Sequence, residues 1–381
     1  MSETSVQSKK LRCLQIITRS DWAGAQKVVY ALVKGLSNNY KNEIEIEVAC
    51  GRENGMLIKE LKDIGIKVHV VPNLVREISP LRDLKAYFEL KEIIKEGNFD
   101  VVHVHSSKAG VLGRIAAKKC GVKKIIYTVH GWWPIEQYVG IKRKFFILAE
   151  RFAARYCDNI VFLCQKEKEK AKKWGIGTEY QYIIIPNAIL PIENATKGLL
   201  RNELGISEDI KIVGNVARLD PQKNPFRFLN IAKSIISHMN NVVFVWIGGN
   251  VVDDFYSERV EEFLKINKEL ENKVFFLPFR KDAIELMTDF DVFLLTSDSE
   301  GMPLSVLEAR SLGIPVVSTD VGCVEEMVGV TAKSDEELVK ILSKTLQDQN
   351  REFHVNWTYD DFVSAYYKIY KTSEKYVAKD S

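Results

Sequence analysis

The chain has 381 residues, more than one hydrophobic core usually supports, so we expect two domains. Hydrophobic residues at 46% and charged residues at 28% are typical of a globular protein. A formal net charge of only +3, with no block of lysine and arginine, argues against a nucleic-acid-binding protein.

The first half of the chain alternates apolar segments with amphipathic helical segments. A helix is predicted to begin at Gly24, after the first strand, and to run to about Asn38. The predicted strands are Leu11–Ile17, Ile44–Cys50, Ile66–Val71, Val101–Val104, Lys124–Val129 and Ile160–Cys164. This alternation is typical of a doubly wound parallel sheet.

The second half repeats the pattern after a linker that Pro186 and Pro191 mark. Its predicted strands are Ile210–Ala217, Val242–Ile247, Val274–Leu277, Val292–Thr296 and Val316–Ser318. A final helix, from Tyr359 to about Ala378, is too rich in aromatic residues to stand free. We therefore expect two Rossmann-like lobes, residues 1–188 and 189–358, and a C-terminal helix within residues 359–381.

A loop with Gly and Pro follows the apolar strand that ends at Thr296. It reads Glu300-Gly-Met-Pro-Leu-Ser-Val-Leu-Glu308, and we expect Pro303 and Leu304 to open a helix. The backbone of Gly301, Met302, Pro303 and Leu304 would then form a helix N-terminus, which favours an anion. Two carboxylates beside such a helix end suit a ligand that carries both hydroxyls and phosphate. A nucleotide sugar is such a ligand.

Two glutamates separated by seven residues after a strand resemble the signature of the family 4 retaining glycosyltransferases, which have the GT-B fold. Three further segments resemble family motifs in the family's order: Trp22-Ala-Gly-Ala-Gln26, Thr128-Val-His-Gly131 and Ala217-Arg-Leu-Asp-Pro-Gln-Lys223. The likeness covers nearly the whole chain. It implies an α/β protein with two facing Rossmann-like lobes, parallel sheets and a C-terminal helix that crosses back to the N-terminal lobe. By the same likeness, the N-terminal lobe would bind the acceptor and the C-terminal lobe the nucleotide sugar.

Arg218 and Lys223 follow the carboxyl end of a predicted strand, the edge where open α/β sheets bind ligands. Two fixed cations and helix amides can stabilise the charge on a diphosphate leaving group without a metal, so we expect no cofactor. The family's glycine after the lysine is Asn224 here, a departure from the motif.

The resemblance implies the remaining donor contacts. Gly24 would present its amide to the diphosphate from the first lobe, although the first glycine of the family's usual pair is Ala23 here. Glu308 would hold the ribose hydroxyls, and Phe279 and Arg280 would lie beside the base. Uridine is the favoured base.

His130 and Glu300 are the predicted catalytic residues. His130 ends a strand and matches the family's active-site histidine, whereas Glu300 would contact hydroxyls of the transferred sugar. His103 is expected in the core. His105, Ser106 and Trp132 are predicted to line the acceptor cleft.

Asp289 and Asp291 superficially match the Asp-x-Asp that binds a divalent metal in another large glycosyltransferase fold. Asp291 comes just before a predicted strand, at the amino end of the sheet, whereas ligands bind at the carboxyl end. We therefore expect no metal at these carboxylates.

The segment from Ile141 to Tyr156 predicts a basic, aromatic helix, with five basic residues against one acidic residue. It is either a sheet-packing helix with a solvated basic side or a face held against an anionic bilayer. The second reading would place Lys142, Arg143 and Lys144 at the membrane.

These features predict a retaining hexosyltransferase that moves a sugar from a UDP-sugar to a saccharide, expected to be linked to a polyprenyl diphosphate, in surface polysaccharide biosynthesis. The alternatives are a sugar-nucleotide epimerase or phosphorylase of the same fold, or a non-catalytic two-lobed sugar- or nucleotide-binding protein. The polar N-terminus has no apolar signal core, and no apolar run reaches the roughly 18 residues of a membrane span. We therefore expect a cytoplasmic protein, peripheral at the inner face of the cytoplasmic membrane.

Overall fold

The structure, a computed structural model, describes residues 9–51, 55–193, 195–249, 255–348 and 357–372. These residues form two compact units. One contains the described residues up to Ala188 and from Trp357 onward, and the other contains those from Ile189 to Asp348. Each unit is an α/β lobe with one parallel sheet.

The N-terminal lobe has a seven-stranded sheet in the order β3-β2-β1-β4-β5-β6-β7. Its strands are β1 (Leu11–Ile17), β2 (Ile44–Cys50), β3 (Lys67–Val70), β4 (Val101–His105), β5 (Lys124–Thr128), β6 (Asn159–Phe162) and β7 (Tyr182–Ile184). Its helices are α1 (Gly24–Asn39), α2 (Met56–Asp63), α3 (Pro80–Gly97), α4 (Ser107–Lys119), α5 (Trp133–Glu136), α6 (Gly140–Ala154) and α7 (Gln165–Trp174). The inner strands are buried on both faces, which explains why they are continuous apolar runs rather than alternating ones.

The C-terminal lobe has a five-stranded sheet in the order β10-β9-β8-β11-β12. Its strands are β8 (Lys211–Val216), β9 (Val242–Ile247), β10 (Val274–Leu277), β11 (Val292–Leu295) and β12 (Val316–Ser318). Its helices are α8 (Leu199–Leu204), α9 (Pro225–Ile236), α10 (Phe255–Ile266), α11 (Ala283–Met287), α12 (Leu304–Ser311), α13 (Val324–Val328) and α14 (Asp335–Gln347). Its own apolar core includes Phe228, Phe244 and Trp246.

The last helix, α15 (Tyr359–Lys371), belongs to the N-terminal lobe. It begins with a capping box between Thr358 and Asp361 and packs against α1. The Tyr359 hydroxyl donates to the carbonyl of Ala31 at 2.7 Å. Gly35 permits the approach, because a Cβ built there would lie 2.3 Å from the Val363 side chain. The helix ends seven residues before the predicted Ala378, and residues 373–378 lie outside the described residues.

Candidate active site

The strand order of each sheet reverses at one point. In the N-terminal lobe the reversal lies between β1 and β4, and in the C-terminal lobe it lies between β8 and β11. Open α/β sheets bind ligands outside the carboxyl ends of the strands at such a point. Most of the predicted donor and catalytic residues follow these strands or their immediate neighbours.

Lys223 and Glu300 meet at the carboxyl end of the C-terminal sheet. Lys223 Nζ lies 2.5 Å from Glu300 Oε1, and the Ser297 hydroxyl donates to the same oxygen at 2.6 Å. The Glu300 side chain is almost fully buried and that of Lys223 is mostly buried. A buried carboxylate needs such partners because burying an unpaired charge in a protein costs on the order of several kcal/mol. The pair therefore fixes a cation and a carboxylate side by side.

Two loops hold this pair in place. Gln222 lies in the loop after β8, and Asp298 and Ser299 lie in the loop after β11. The Asp298 amide donates to the Gln222 carbonyl at 2.9 Å, and the Gln222 side chain donates to the Ser299 carbonyl at 2.8 Å. The Thr296 hydroxyl donates to the Lys223 carbonyl at 3.1 Å. The backbone that carries Lys223 is thus tied to the backbone that carries Glu300.

Asn224 explains one departure from the family motif. Its backbone is in the left-handed region, with φ at +51°, and it is the N-cap of α9, accepting from the Arg227 amide at 3.0 Å. Glycine adopts this conformation most readily, and asparagine is among the residues that tolerate it. Asparagine therefore replaces glycine here without changing the turn.

The loop before α12 has a free helix end. The helix begins at Leu304, one residue later than predicted, and its N-cap, Pro303, makes no side-chain capping bond. Gly322 packs directly behind the loop, because a Cβ there would lie 2.2 Å from the Gly301 carbonyl oxygen. Met302 is partly exposed, and Glu308 is buried one turn into the helix. The anion contact of residues 301–304 stays a prediction.

Of the other predicted donor residues of this lobe, the two arginines have ion-pair partners and the phenylalanine is half exposed. Arg218 is partly exposed and lies 3.0 Å from Asp220. Phe279 is half exposed, as a residue that stacks on a base would be. Arg280 forms ion pairs with Asp282 and Glu203, at 2.7 and 2.8 Å. Its contact with a base therefore stays a prediction.

Asp289 and Asp291 have structural partners. Asp289 accepts from the backbone amides of Gly198, Leu200 and Arg201 and thereby caps α8. Asp291 pairs with Arg201 and Lys211. Within the described residues, no group of three or more His, Cys, Asp or Glu side chains has the arrangement of a metal site.

In the N-terminal lobe, α1 begins at Gly24 directly after the loop that follows β1. Its N-cap, Ala23, makes no side-chain capping bond, and a Cβ built on Gly24 would meet no described atom within 4 Å. The open helix end favours an anion. The diphosphate contact of Gly24 stays a prediction.

Ser106 joins the two strands at the switch point of this lobe. Its backbone has φ at +64°, a strained value for a serine, and its hydroxyl lies 2.7 Å from the Thr18 hydroxyl. Strain of this kind clusters at functional sites, so Ser106 stays a candidate for acceptor contact.

His130 lies partly exposed after β5, and two more histidines stand behind it. Its Nε2 is 2.9 Å from Nδ1 of His105, which is fully buried. Burial lowers the pKa of His130 to about 4 and that of His105 well below its usual value. The His130 imidazole is therefore neutral near pH 7. His105 therefore lies in the interior behind His130, to which it is hydrogen-bonded, and does not line the acceptor cleft as predicted.

Trp132 was predicted to line the acceptor cleft, but the structure places it in the hydrophobic core. Only 1% of it is exposed, its ring packs edge-on against Trp174, and its Nε1 donates to the Glu167 carbonyl at 3.2 Å. The loop after His130 turns inward because Ile135, one turn on, is also buried. The prediction that Trp132 lines the acceptor cleft is therefore wrong, because its side chain is in the core.

Helix α6 presents an apolar stripe to solvent. Ile141, Phe145, Leu148 and Phe152 recur every three or four residues and are between 46% and 84% exposed. Lys142, Lys144, Arg151 and Arg155 are exposed around the stripe, whereas Arg143 lies over the Trp174 ring. The opposite face is fixed by Glu150, which pairs with the buried Arg114 of α4 at 2.5 Å. None of the helices in the described ranges combines the length and apolarity that a membrane span needs.

Sequence reasoning missed Ser297 and Gln222, which contact Glu300 and its loop in the C-terminal lobe, and Gln15 and Tyr370, which lie behind His105 in the N-terminal lobe. Gln15 had a detectable signal, because a glutamine in the middle of a buried apolar strand needs polar partners. The other three gave none, since each acts through a contact with a residue distant in sequence.

Comparison with known proteins identifies the family of the chain. Residues 22–191 match the family model described as Glycosyltransferase Family 4, and residues 196–359 match Glycosyl transferases group 1. An Escherichia coli UDP-Gal:alpha-D-GlcNAc-diphosphoundecaprenol alpha-1,3-galactosyltransferase is 34% identical over 313 residues, 78% of this chain and 76% of that protein. A Campylobacter jejuni N,N'-diacetylbacillosaminyl-diphospho-undecaprenol alpha-1,3-N-acetylgalactosaminyltransferase is 26% identical, over 76% of this chain and 79% of that protein.

Solved structures share the architecture. HepE of Anabaena, crystallised with UDP and glucose, aligns with a TM-score of 0.74 and 21% identity over 89% of this chain and 90% of that chain. The glycosyltransferase WaaG aligns with a TM-score of 0.64 and 17% identity, over 95% of this chain and 94% of that chain. These likenesses confirm the predicted GT-B fold. Taken with the family models and the E. coli relative, they show that the chain belongs to the family 4 glycosyltransferases.

Proposed function

We propose that this glycosyltransferase moves a hexose-type sugar, with retention, from a UDP-sugar to a saccharide carried on a lipid diphosphate, as a step in surface polysaccharide synthesis. The observation that carries the proposal is the Lys223–Glu300 pair, held at 2.5 Å beside the uncapped end of α12. The names of the relatives support the chemistry of both substrates: the E. coli protein takes UDP-Gal, and it and the C. jejuni protein act on diphosphoundecaprenol-linked acceptors.

The C-terminal lobe would bind the donor. Lys223 and Arg218 would meet the diphosphate together with the backbone of residues 301–304, and Glu308 would accept from the ribose hydroxyls. Because these cations meet charge that grows as the glycosidic bond breaks, they stabilise the transition state more than the ground state. Glu300, already paired with Lys223, would bind a hydroxyl of the transferred sugar and so set the sugar's position relative to the diphosphate.

The N-terminal lobe would bind the acceptor. His130 is neutral and has one ring nitrogen bonded to His105, so its other nitrogen is left to meet a hydroxyl of the sugar or the acceptor. Ser106, at the adjoining strand end, is the second candidate for that surface.

The exposed face of α6 supports attachment to the membrane that carries the acceptor. A helix that only covers a sheet has no need of four large apolar side chains in water. Apolar residues flanked by lysine and arginine are the pattern of a helix that lies in the interface of an anionic bilayer. The enzyme would then work at the inner face of the cytoplasmic membrane, with Lys142, Arg143 and Lys144 near the lipid headgroups.

Release of UDP from a panel of UDP-sugars, measured with and without a synthetic polyprenyl-diphosphate-linked saccharide, tests this function. We expect slow release alone and a large increase with the acceptor, together with an acceptor product heavier by one sugar. Interconversion of UDP-sugars without transfer would favour an epimerase, and UDP binding without turnover would favour a binding protein. Either result would refute the proposal.

A further inference from the structure

Six hydrogen bonds in series run from His130 through the interior of the N-terminal lobe. They join His130, His105, Gln15, Tyr370, His103, Thr128 and Tyr366, in that order, with donor–acceptor distances between 2.6 and 2.9 Å. All members except His130 are buried. Two of them, Tyr366 and Tyr370, lie on α15, more than 230 residues from their partners.

The imidazoles in the series are neutral. Burial lowers the pKa of His103 and of His105 well below the usual value, and that of His130 to about 4. A neutral imidazole has one N–H donor and one acceptor nitrogen. Each ring therefore passes the direction of the hydrogen bonding on, since donating with one nitrogen requires accepting with the other.

Gln15 sets that direction. Its side-chain carbonyl lies 2.9 Å from Nε2 of His105, and its NH₂ donates to the Tyr370 hydroxyl at 2.8 Å. The carbonyl can only accept, so His105 carries its proton on Nε2 and accepts with Nδ1. His130 must then donate from Nε2, which leaves its Nδ1 as an acceptor. Turning the Gln15 amide around would reverse every bond and put a proton on Nδ1 of His130.

We propose that Gln15 and Tyr370 are positioning residues, which act through His105 to fix the ring orientation and the tautomer of His130. The inference rests on the proposed role of His130 in transfer. It gives α15 a function beyond its packing against α1, because the Tyr370 hydroxyl accepts from the Gln15 NH₂ and so pairs with the amide orientation that leaves Nδ1 of His130 as an acceptor.

Two variants interrupt the series with little change in volume, Gln15→Met and Tyr370→Phe. Tyr359→Phe is the matched control, since it also removes a hydroxyl of α15 but lies outside the series. We expect kcat to fall about ten- to a hundredfold in Gln15→Met and about tenfold in Tyr370→Phe. Losing a residue that orients a metal-binding histidine through a hydrogen bond has effects of about this size. Tyr359→Phe should keep the wild-type kcat, and all three should keep wild-type affinity for UDP.

Nitrogen-15 NMR of the histidine rings reads the tautomer directly, in the full chain without any sugar. The signal of His130 is assigned by its absence from the spectrum of His130→Gln. We expect His130 to be protonated on Nε2 in the wild type. In Gln15→Met and Tyr370→Phe, we expect this signal to shift toward a mixture of tautomers. Wild-type kcat in both variants, an Nδ1 proton in the wild type, or a fall in kcat without any change of tautomer would overturn the inference. If no sugar transfer is found in the wild type, the proposed function fails. The NMR result would still show whether Gln15 and Tyr370 fix the tautomer of His130.

Discussion

Lys223 and Glu300 illustrate how one ion pair can have two tasks. In the protein without ligand each neutralises the other, and neither is left as a buried charge without a partner. If a diphosphate binds here as proposed, the lysine would gain a second anion at short range. The cost of removing one partner therefore has two parts, the lost ligand contact and the isolated charge that stays behind.

Lys223→Ala and Arg218→Ala should each weaken UDP binding and lower turnover, because both cations meet charge already present in the bound nucleotide. We expect losses of roughly 1.5–3 kcal/mol in UDP affinity, the range for hydrogen bonds to charged groups. Isothermal titration with UDP measures this. Lys233→Ala, on the outer side of α9, is the control that should bind normally. Full UDP affinity in the Lys223 and Arg218 variants would remove both residues from the site.

His130→Ala should instead lose turnover and keep its UDP affinity.

The depressed pKa of His130 predicts how stability depends on pH. His130 takes up a proton below about pH 6.5 in the unfolded chain but only below about pH 4 in the folded protein. The free energy of unfolding therefore decreases as the pH falls through this window. At pH 5 the loss from this residue is about 2 kcal/mol. Chemical unfolding at pH 7.5 and pH 5.0 should therefore show about 2 kcal/mol less acid destabilisation in His130→Gln than in the wild type. An identical pH dependence would mean that His130 titrates normally in the folded protein.

Among the secondary-structure elements, the strands were predictable because most of them are short, largely apolar runs that the structure buries. The helix ends at Gly24 and near Leu304 were also predictable, since Gly and Pro mark them. What composition could not reveal is which side of a loop faces the core. Trp132 follows a strand end, as an active-site aromatic residue would, and only its packing against Trp174 distinguishes the two cases.

Helix α6 was predicted as basic, yet its exposed apolar stripe emerges only when the buried face is known. If the stripe and the surrounding cations bind lipid, two kinds of change should have different signatures. Reversing the charge of Lys142, Arg143 and Lys144 should abolish flotation with anionic liposomes at low and at physiological salt, since each basic residue contributes on the order of 1 kcal/mol. Phe145→Gln with Leu148→Gln should weaken the salt-resistant part of binding.

The control for this experiment is charge reversal at Lys172 and Lys173, two exposed cations of α7. This variant should float like the wild type. Transfer to a short, water-soluble acceptor should be nearly unchanged in every variant. Flotation of the triple variant at physiological salt would leave α6 as a helix that covers the sheet.

At the scale of the whole molecule, the fold could be predicted because the βα pattern occurs twice and four motifs follow in order. The series of hydrogen bonds behind His130 could not, because it joins residues as far as 355 positions apart, and nothing in the local pattern of Gln15 or Tyr370 names the partner. Long-range polar contacts of this kind follow from the topology, which has to be known first.

We expect the enzyme to work without a divalent metal, since Asp289 and Asp291 hold α8 and β8 in place and the proposed cations and helix ends would meet the diphosphate. Initial rates of transfer in excess EDTA should equal those in untreated enzyme. Loss of activity that manganese or magnesium restores would return the Asp289 and Asp291 pair to consideration.

The anomeric configuration of the product distinguishes retaining sugar transfer from every alternative. The enzyme is given an α-linked UDP-hexose and a lipid-diphosphate-linked saccharide, and the new glycosidic bond is read from the one-bond carbon–proton coupling at the anomeric carbon in the NMR spectrum. A retaining family 4 enzyme predicts one added sugar in α linkage. A β-linked product, or UDP release with no new bond to the acceptor, would contradict the account.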